Sequence, residues 1–230
     1  TRTVIINEKY TNDYGEIQAC DLIVNGELNF RKGVSNGNAS SVLVYRDLNV
    51  SDTGIFKLGD KMSLYMDDDN AIITGNIIKY EKSTVLNDQF DFTYWSSSVT
   101  DARTEDVFSG IRSGRVYYFD QSMSSASDPN NDPQGTFWNV WVPANGQMKP
   151  GRGYASESNN ENRHTVIFEG QPNNGEIIEQ VYFHDDSDVD NDFNLIGNPY
   201  PSAIDIDIFF DANSNIIDEA IYLWTHSTPV

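Results

Sequence analysis

The sequence predicts an all-β protein in which a right-handed parallel β-helix precedes an antiparallel, sandwich-like or irregular barrel domain. Two observations predict this fold class. Short β-branched runs recur at Leu22, Leu48 and Ile72, a regular spacing of the kind that is typical of solenoids. Long helical periodicity is absent. The repeat fades near residue 85, so we expect β-helix coils at 1–85 and an aromatic-rich antiparallel domain at 86–230.

Each repeat in the first region is an apolar run followed by Asn, Asp or Gly. The clearest runs begin at Val4, Leu22, Leu48 and Ile72, and secondary runs lie at Glu27–Phe30, 42–45, Ile55–Leu58 and Ser63–Met66. One coil has too few apolar residues for a core of its own, so successive coils must stack and bury their inward side chains together. A β-sandwich with closely spaced turns is the competing arrangement.

The second region reads as strands separated by turns rich in Asn, Asp, Gly and Pro. Strands are predicted at 115–119, 136–142, 165–169 and 177–183. Short helices are predicted only at 203–213 and 216–220, with Ser202 or Asp205 as an N-cap, because these side chains can accept hydrogen bonds from the first free backbone N–H groups. Polar tracts at 121–133 and 156–163 are predicted to be surface loops.

The charge balance excludes some partners. Thirty-five acidic and 15 basic residues give a formal net charge of -20, which repels nucleic acid and anionic membranes. Cys20 is the only cysteine, so no internal disulfide can form, and its apolar neighbours favour a small core residue over a nucleophile. No apolar run approaches the roughly 18 residues of a membrane span.

An acidic stretch near residue 190 is a candidate calcium site. Alternate carboxylates on a loop can converge on Ca²⁺, which takes about six to eight oxygen ligands. The EF-hand pattern is incomplete, because Asn191 and Gly197 stand where Gly and Glu are required. A solvated acidic turn is the alternative. The candidate ligands are Asp186, Asp188, Asp190 and Asp192.

Six aromatic residues of the second region form a candidate glycan-binding set, namely Tyr94, Trp95, Trp138, Trp141, Tyr154 and Trp224. Exposed rings stack on sugar faces, whereas buried rings would form the core of a domain that is poor in leucine. The proposed ligand residues are Trp95, Trp138 and Trp141. No HExxH or GxSxG pattern occurs, so no catalytic residue is assigned and the chain is predicted not to be an enzyme. A polysaccharide-acting enzyme remains an alternative on fold analogy alone.

Three segments carry a resemblance to a known group. They are Asp-Phe-Thr-Tyr-Trp-Ser-Ser at 91–97, Met-Lys-Pro-Gly-Arg-Gly-Tyr at 148–154 and Asn-Leu-Ile-Gly-Asn-Pro-Tyr-Pro-Ser-Ala-Ile-Asp at 194–205. In these the chain resembles the large secreted surface proteins of Bacteroidota that leave the cell by type IX secretion. It departs from them at Ser98, where such proteins usually have proline. Segments at 19–25 and 222–229 fit the same pattern.

The resemblance implies an extracellular location at the outer cell surface and a structural or adhesion role. It implies further domains of the same precursor as partners, and contact with the secretion machinery through a sorting domain outside this chain. Surface glycans and self-association through the solenoid ends are further expected partners. No catalytic residue is carried over from the group.

Overall fold

The chain consists largely of short β-strands with few helices, which agrees with the all-β prediction. The computed structural model describes residues 2–12, 15–31, 41–75, 78–86, 90–123, 140–158, 163–183, 193–218 and 220–223. The strands are β1 Val4–Ile6, β2 Lys9–Asn12, β3 Glu16–Ala19, β4 Leu22–Val24, β5 Glu27–Phe30, β6 Ser41–Val44, β7 Leu48–Val50, β8 Ile55–Leu58, β9 Ser63–Met66, β10 Ile73–Gly75, β11 Ile78–Val85, β12 Thr93–Trp95, β13 Val116–Phe119, β14 Trp141–Pro143, β15 Tyr154–Ser156 and β16 Arg163–Gly170. The helices are α1 Thr104–Val107 and α2 Ile206–Asn213, with a 3-10 turn at Gln121–Met123.

The first eleven strands form three sheets in which every neighbouring pair runs parallel. Their strand orders are β1-β4-β7-β10, β2-β5-β8-β11 and β3-β6-β9. Each of the first three successive segments of chain, here called coils, therefore adds one strand to each sheet in turn, and a fourth coil adds β10 and β11 to the first two sheets. In the first sheet Val4 pairs with Leu22, Leu22 with Leu48 and Leu48 with Ile73. These parallel pairings exclude the ordinary hairpins of an antiparallel sandwich for this part of the chain.

Inward-pointing side chains of successive coils share one core. The strands alternate between buried and more exposed positions, as in the Leu48–Val50 and Ser41–Val44 patterns, because successive side chains of a strand point to opposite faces. Fully burying one such aliphatic or aromatic side chain contributes about 1.5–3 kcal/mol. The fully buried members of the coils include Leu22, Val24, Leu28, Phe30, Val42, Val44, Leu48 and Phe56.

Polar side chains form ladders between coils on the outside of the stack. Asn25 Nδ2 donates to Asn7 Oδ1 at 2.8 Å, and Asn49 Nδ2 donates to Thr74 Oγ1 at 2.7 Å. The contacts join residues one coil apart, so they fix the register of stacking.

Charged side chains make a similar ladder on the second sheet. The Glu27 carboxylate lies between two lysines, at 3.1 Å from Lys9 Nζ and 3.3 Å from Lys57 Nζ. These two ammonium groups lower the pKa of Glu27. One carboxylate thus links three successive coils.

A further charged contact joins the first three coils at another corner. The Arg46 guanidinium lies 2.7 Å from the Asp21 carboxylate, and Thr3 Oγ1 donates to the same carboxylate at 3.0 Å. The hydrogen bond from Arg46 is the main cause that lowers the pKa of Asp21. Because the pair is solvent-exposed, it contributes more to register than to stability.

Gly75 lies where two coils come closest. Its φ is +92°, and a Cβ at this position would overlap the Val50 carbonyl oxygen of the preceding coil. Gly75 and Val50 are direct register partners of β10 and β7. Only a residue without a side chain combines this backbone angle with this approach.

The second sheet continues past the predicted domain boundary at residue 85. Strand β11 pairs in parallel with β8 on one side and antiparallel with β16 on the other, where Ile78 faces Gly170. The buried core is continuous as well, since Trp95, Val99 and Met148 belong to the same cluster as Phe56 and Leu58. The division at residue 85 stays a prediction, and the sheet and core span it.

The remaining strands form an antiparallel sheet with the order β12-β15-β13-β14. Asp205 caps α2, because its side chain accepts from the backbone N–H groups of Asp207 at 3.0 Å and Ile208 at 3.2 Å; the helix predicted at 203–213 and one of its two predicted caps are therefore present. Residues 177–183, predicted as a strand, lie in no strand or helix among the described residues. In the described part of the chain, no helix is long and apolar enough to cross a membrane.

Candidate functional site

The antiparallel sheet carries aromatic side chains along one face. Tyr94 and Tyr117 both pair with Ala155, and Phe119 pairs with Trp141. Register partners share a face of a sheet, as do residues two apart on one strand, so Tyr94, Tyr117, Phe119 and Trp141 lie together. The Phe92 ring joins them, with its centroid 6.0 Å from that of Tyr117. We call these five aromatic residues the aromatic face.

The rings of the aromatic face contact one another and remain partly open to solvent. The Trp141 ring centroid lies 5.7 Å from that of Tyr94 and 5.1 Å from that of Phe119. Tyr94 is 38% exposed, and the other four rings are half-buried. Partial burial raises the pKa of the Tyr94 phenol, so its hydroxyl stays protonated and can donate a hydrogen bond near neutral pH. A surface of this kind can stack against a flat apolar or sugar face.

The opposite face of the same sheet belongs to the core and contains Trp95. Trp95 is 7% exposed, and its Nε1 donates to Ser156 Oγ at 3.0 Å. Its ring meets the His164 ring edge to face, with centroids 5.0 Å apart. Trp95 is therefore a core residue, as the alternative interpretation of the aromatic residues predicts. Of the other two proposed ligand residues, Trp141 lies on the aromatic face and Trp138 lies outside the described residues.

His164 is a buried histidine enclosed by apolar rings. It is packed against Trp95 and Phe108, and its Nδ1 has no hydrogen-bond partner among the described residues. Burial lowers the pKa of His164 to about 4. The folded protein thus holds this imidazole neutral at a pH where an unfolded chain would protonate it.

Acid is expected to destabilise the fold through His164. Between pH 6.5 and pH 4, His164 is protonated in the unfolded chain but stays neutral in the folded protein. The contribution of His164 to the free energy of unfolding is therefore fully present above pH 6.5 and is lost as the pH falls towards 4. The loss in the free energy of unfolding reaches about 3 kcal/mol near pH 4. Urea denaturation from pH 7 to pH 4 checks this, by comparing the wild type with His164→Phe. Parallel stability profiles for the two proteins would show that His164 does not titrate in this way.

A cleft opens near Phe119, at the end of β13. It is shallow, and its lining includes Asp120, Arg152 and Glu179. Arg152 Nε donates to Glu179 Oε1 at 3.2 Å, and its guanidinium lies over the Tyr118 ring at 4.8 Å. These charged groups are engaged with one another. The cleft lining, as far as the described residues form it, contains no serine, cysteine or histidine that could act as a nucleophile with its base.

Three segments that carry the sequence resemblance meet beside the core. Asn173 Nδ2 donates to the carbonyl oxygens of Ser97 at 3.0 Å and Pro199 at 2.8 Å. The N–H of Gly197 donates to the carbonyl of Gly151 at 2.9 Å. We call this meeting point of 96–98, 151–153 and 195–199 the junction. Its distinctive residues serve packing and chain crossing, since they bond to one another's backbones.

Residues 2–230 match a sequence family described as a domain of unknown function, DUF8693. The chain belongs to the DUF8693 family. No curated protein and no solved structure matches it. The family match takes in the coil strands, the antiparallel sheet and the junction together, so these parts of the DUF8693 domain share one sequence family.

The predicted calcium ligands of the DUF8693 domain lie outside the described residues. These are Asp186, Asp188, Asp190 and Asp192. Within the described ranges, no three or more His, Cys, Asp or Glu side chains are grouped so as to hold a metal ion. The calcium site therefore stays a prediction.

Sequence reasoning missed three members of the aromatic face of the DUF8693 domain, namely Phe92, Tyr117 and Phe119. The alternation of aromatic residues at 117 and 119 indicates that both rings share one side of a strand. It does not show that Trp141, which lies well beyond them in the sequence, is placed opposite Phe119. That pairing follows from the sheet register.

The junction offers a test of close packing in the DUF8693 domain. A Cβ at Gly197 would overlap Ser96 Cβ, so Gly197→Ala is expected to lower the free energy of unfolding by about 1–3 kcal/mol. The same substitution in a Ser96→Gly background should cost much less, because the opposing Cβ is gone. A double-mutant cycle by chemical denaturation measures this coupling. Additive effects of the two changes would contradict the proposed contact.

Proposed function

We propose that this chain is a non-enzymatic structural and adhesion module of a bacterial surface protein exported by the type IX route. In this proposal the first region is a right-handed parallel β-helix that acts as a stalk, and the antiparallel region closes its end as a sandwich-like or irregular barrel unit. One observation carries the proposal. Successive coils pair in parallel and in register along three sheets, over a shared aliphatic core.

Stacked coils suit a spacer for physical reasons. Each coil contacts only its neighbours, so length is added without changing the cross-section. The junction segments that resemble the secreted surface proteins support the same role, because hydrogen bonds from Asn173 and between Gly197 and Gly151 hold their backbones together. Among the described residues, these bonds engage the junction in packing rather than in a reactive cleft.

Small-angle scattering and an activity screen together test this proposal. An elongated particle in solution, with no turnover of a broad panel of acidic and neutral polysaccharides, is the expected result. A spherical particle would contradict the proposal that the coils form a stalk. Release of reducing ends or unsaturated products from any polysaccharide would replace the proposal with an enzymatic function.

A second candidate function is glycan binding, and the aromatic face favours it. Five aromatic residues lie on one partly exposed sheet face, and neutral sugars are not repelled by a net charge of -20. Aromatic rings of this kind contribute large contact area with little loss of conformational entropy. The test is a glycan array probed with and without calcium.

Variants locate any glycan that the array identifies. Trp141→Ala should weaken its binding by about tenfold, which corresponds to roughly 1.4 kcal/mol. Tyr65→Ala is the matched control, because Tyr65 is an exposed aromatic residue on β9 of the coil stack. The absence of glycan binding both with and without calcium, or an equal loss of affinity in the two variants, would exclude the aromatic face as a glycan site.

A further inference from the structure

Positively charged side chains border the aromatic face at one end. Strands β13 and β15 stay paired for one residue beyond Val116 and Ser156, because the N–H of Glu157 donates to the carbonyl of Arg115 at 3.2 Å. Arg115 comes two residues before Tyr117 in the same extended run, and residues two apart in a strand share a face. Arg115 therefore lies on the side of the sheet that carries the aromatic face, at its edge.

The Glu157 carboxylate is buried and anchors two arginines. Its side chain is 7% exposed, and Arg112 Nη2 donates to its two oxygens at 3.3 and 3.0 Å. Arg115 Nε lies 3.4 Å from Glu157 Oε1. A guanidinium group keeps its charge at any pH at which proteins fold. One carboxylate thus meets two guanidinium groups, and the cluster carries an excess of positive charge.

Both arginines of this cluster remain open to solvent. The Arg112 and Arg115 side chains are 56% and 41% exposed, and Glu157 is the one hydrogen-bonding or ion-pairing partner of their guanidinium groups within the described ranges. Arg112 Cζ also lies 5.9 Å from the centroid of the Phe90 ring. The ring and the buried carboxylate hold the guanidinium group in place, so its remaining N–H groups are positioned before any ligand arrives.

The neighbouring groups specify the chemistry of a ligand. Guanidinium groups bind planar carboxylates through paired hydrogen bonds, and aromatic rings stack on the flat face of a sugar. A hexuronic acid combines the two features, because its carboxylate is attached to the sugar ring. A neutral sugar would leave the excess positive charge without a counter-ion, and an acidic peptide has no ring face to place on the aromatic residues.

We infer that the aromatic face and the arginine pair together bind an acidic polysaccharide. In this arrangement a uronate carboxylate contacts Arg112 and Arg115, and an adjoining sugar ring stacks on the aromatic face. The inference rests on the glycan-binding candidate function and adds the class of glycan. The formal net charge of -20 opposes an anionic ligand at long range, but salt screens charges more than about 8 Å away at physiological ionic strength.

Matched pairs of oligosaccharides test the inference on the full chain. The probes are tetramers of galacturonate, glucuronate and mannuronate, each compared with a carboxyl-reduced form that keeps the rings and lacks the charge. We expect at least one uronate to bind about tenfold more tightly than its reduced form by titration calorimetry, with a difference that shrinks as salt is added. Tighter binding of a sulfated tetramer or of a glutamate peptide would overturn the inference, by assigning the arginines to a sulfate ester or to a protein.

Two variants connect any preference for uronate to the arginine pair. Arg112→Gln should remove most of the preference and leave the affinity for the reduced form unchanged, whereas Arg46→Gln should change neither. Arg46 is the matched control, because its side chain is also exposed, at 60%, and also pairs with a carboxylate, that of Asp21 on the coil stack. Trp141→Ala should weaken the binding of both forms.

The outcomes separate the class of glycan from glycan binding itself. Equal affinity for the uronate and reduced forms, or equal effects of Arg112→Gln and Arg46→Gln, would overturn the inference and leave glycan binding by the aromatic face intact. Absence of binding to every tetramer would overturn it as well. In that case the glycan array decides separately whether the aromatic face binds any sugar.

Discussion

Replacing Phe56 with alanine is expected to lower the free energy of unfolding by about 3–5 kcal/mol. Phe56 is fully buried and lies on β8, in register between Leu28 of one neighbouring coil and Ile78 of the next. The cavity left by the ring cannot easily close, because strand hydrogen bonds fix the coils on both sides. Chemical denaturation followed by tryptophan fluorescence and circular dichroism measures the loss.

Tyr65→Ala is the matched control for this prediction. Tyr65 belongs to β9 of the same coil but is 50% exposed. Its truncation should therefore change the free energy of unfolding by about 0.5 kcal/mol, far less than the Phe56 substitution. Since each coil contacts only its neighbours, Phe56→Ala should also speed amide exchange most in β5, β8 and β11. Similar losses in the two variants would show that the coils do not share a packed interior.

Gly75→Ala is expected to cost about 3 kcal/mol or more, from two separate effects. The positive φ alone costs a residue with a side chain about 1–2 kcal/mol. In addition, the new Cβ would overlap the Val50 carbonyl oxygen, and neither backbone can move without breaking the β7 to β10 pairing. Denaturant midpoints report the combined loss.

Gly114→Ala separates the two effects. Gly114 also has a positive φ, of +75°, but nothing lies within 4 Å of the position that a Cβ would occupy. Its substitution should therefore show the conformational cost alone. If both variants lost the same stability, the close approach of the two coils at Gly75 would not be the reason for this glycine.

The coil strands could be predicted closely from the sequence. Glu27–Phe30, Ile55–Leu58 and Ser63–Met66 were delimited from their alternating pattern, and the structure has strands with these bounds. The information is local here, because inward and outward residues alternate and turn residues follow each run. Stacking then follows from the shortage of apolar residues in any single coil.

Long-range pairing could not be predicted in the same way. The antiparallel partner of β11 is β16, which is distant from it along the chain, and no local pattern names it. The segment 177–183 illustrates the converse. Its alternation predicts a strand, but residues 177–183 lie in no strand among the described residues, because strand formation depends on a pairing partner that the local pattern does not specify. The membership of the aromatic face likewise depends on sheet register, so Phe92, Tyr117 and Phe119 were not recognised from the sequence.

The geometry of the first coil has a mechanical consequence. The inter-coil hydrogen bonds point along the stack, so a pull on the amino terminus in that direction loads one ladder at a time rather than shearing all of them together. The coils would yield one after another, because each coil is held mainly by its contacts with its immediate neighbours. Val4 pairs with Leu22 one coil later, so release of that coil would lengthen the molecule by up to about 60 Å, at roughly 3.3–3.6 Å per residue. Under tension such a protein lengthens in successive small steps instead of rupturing at once.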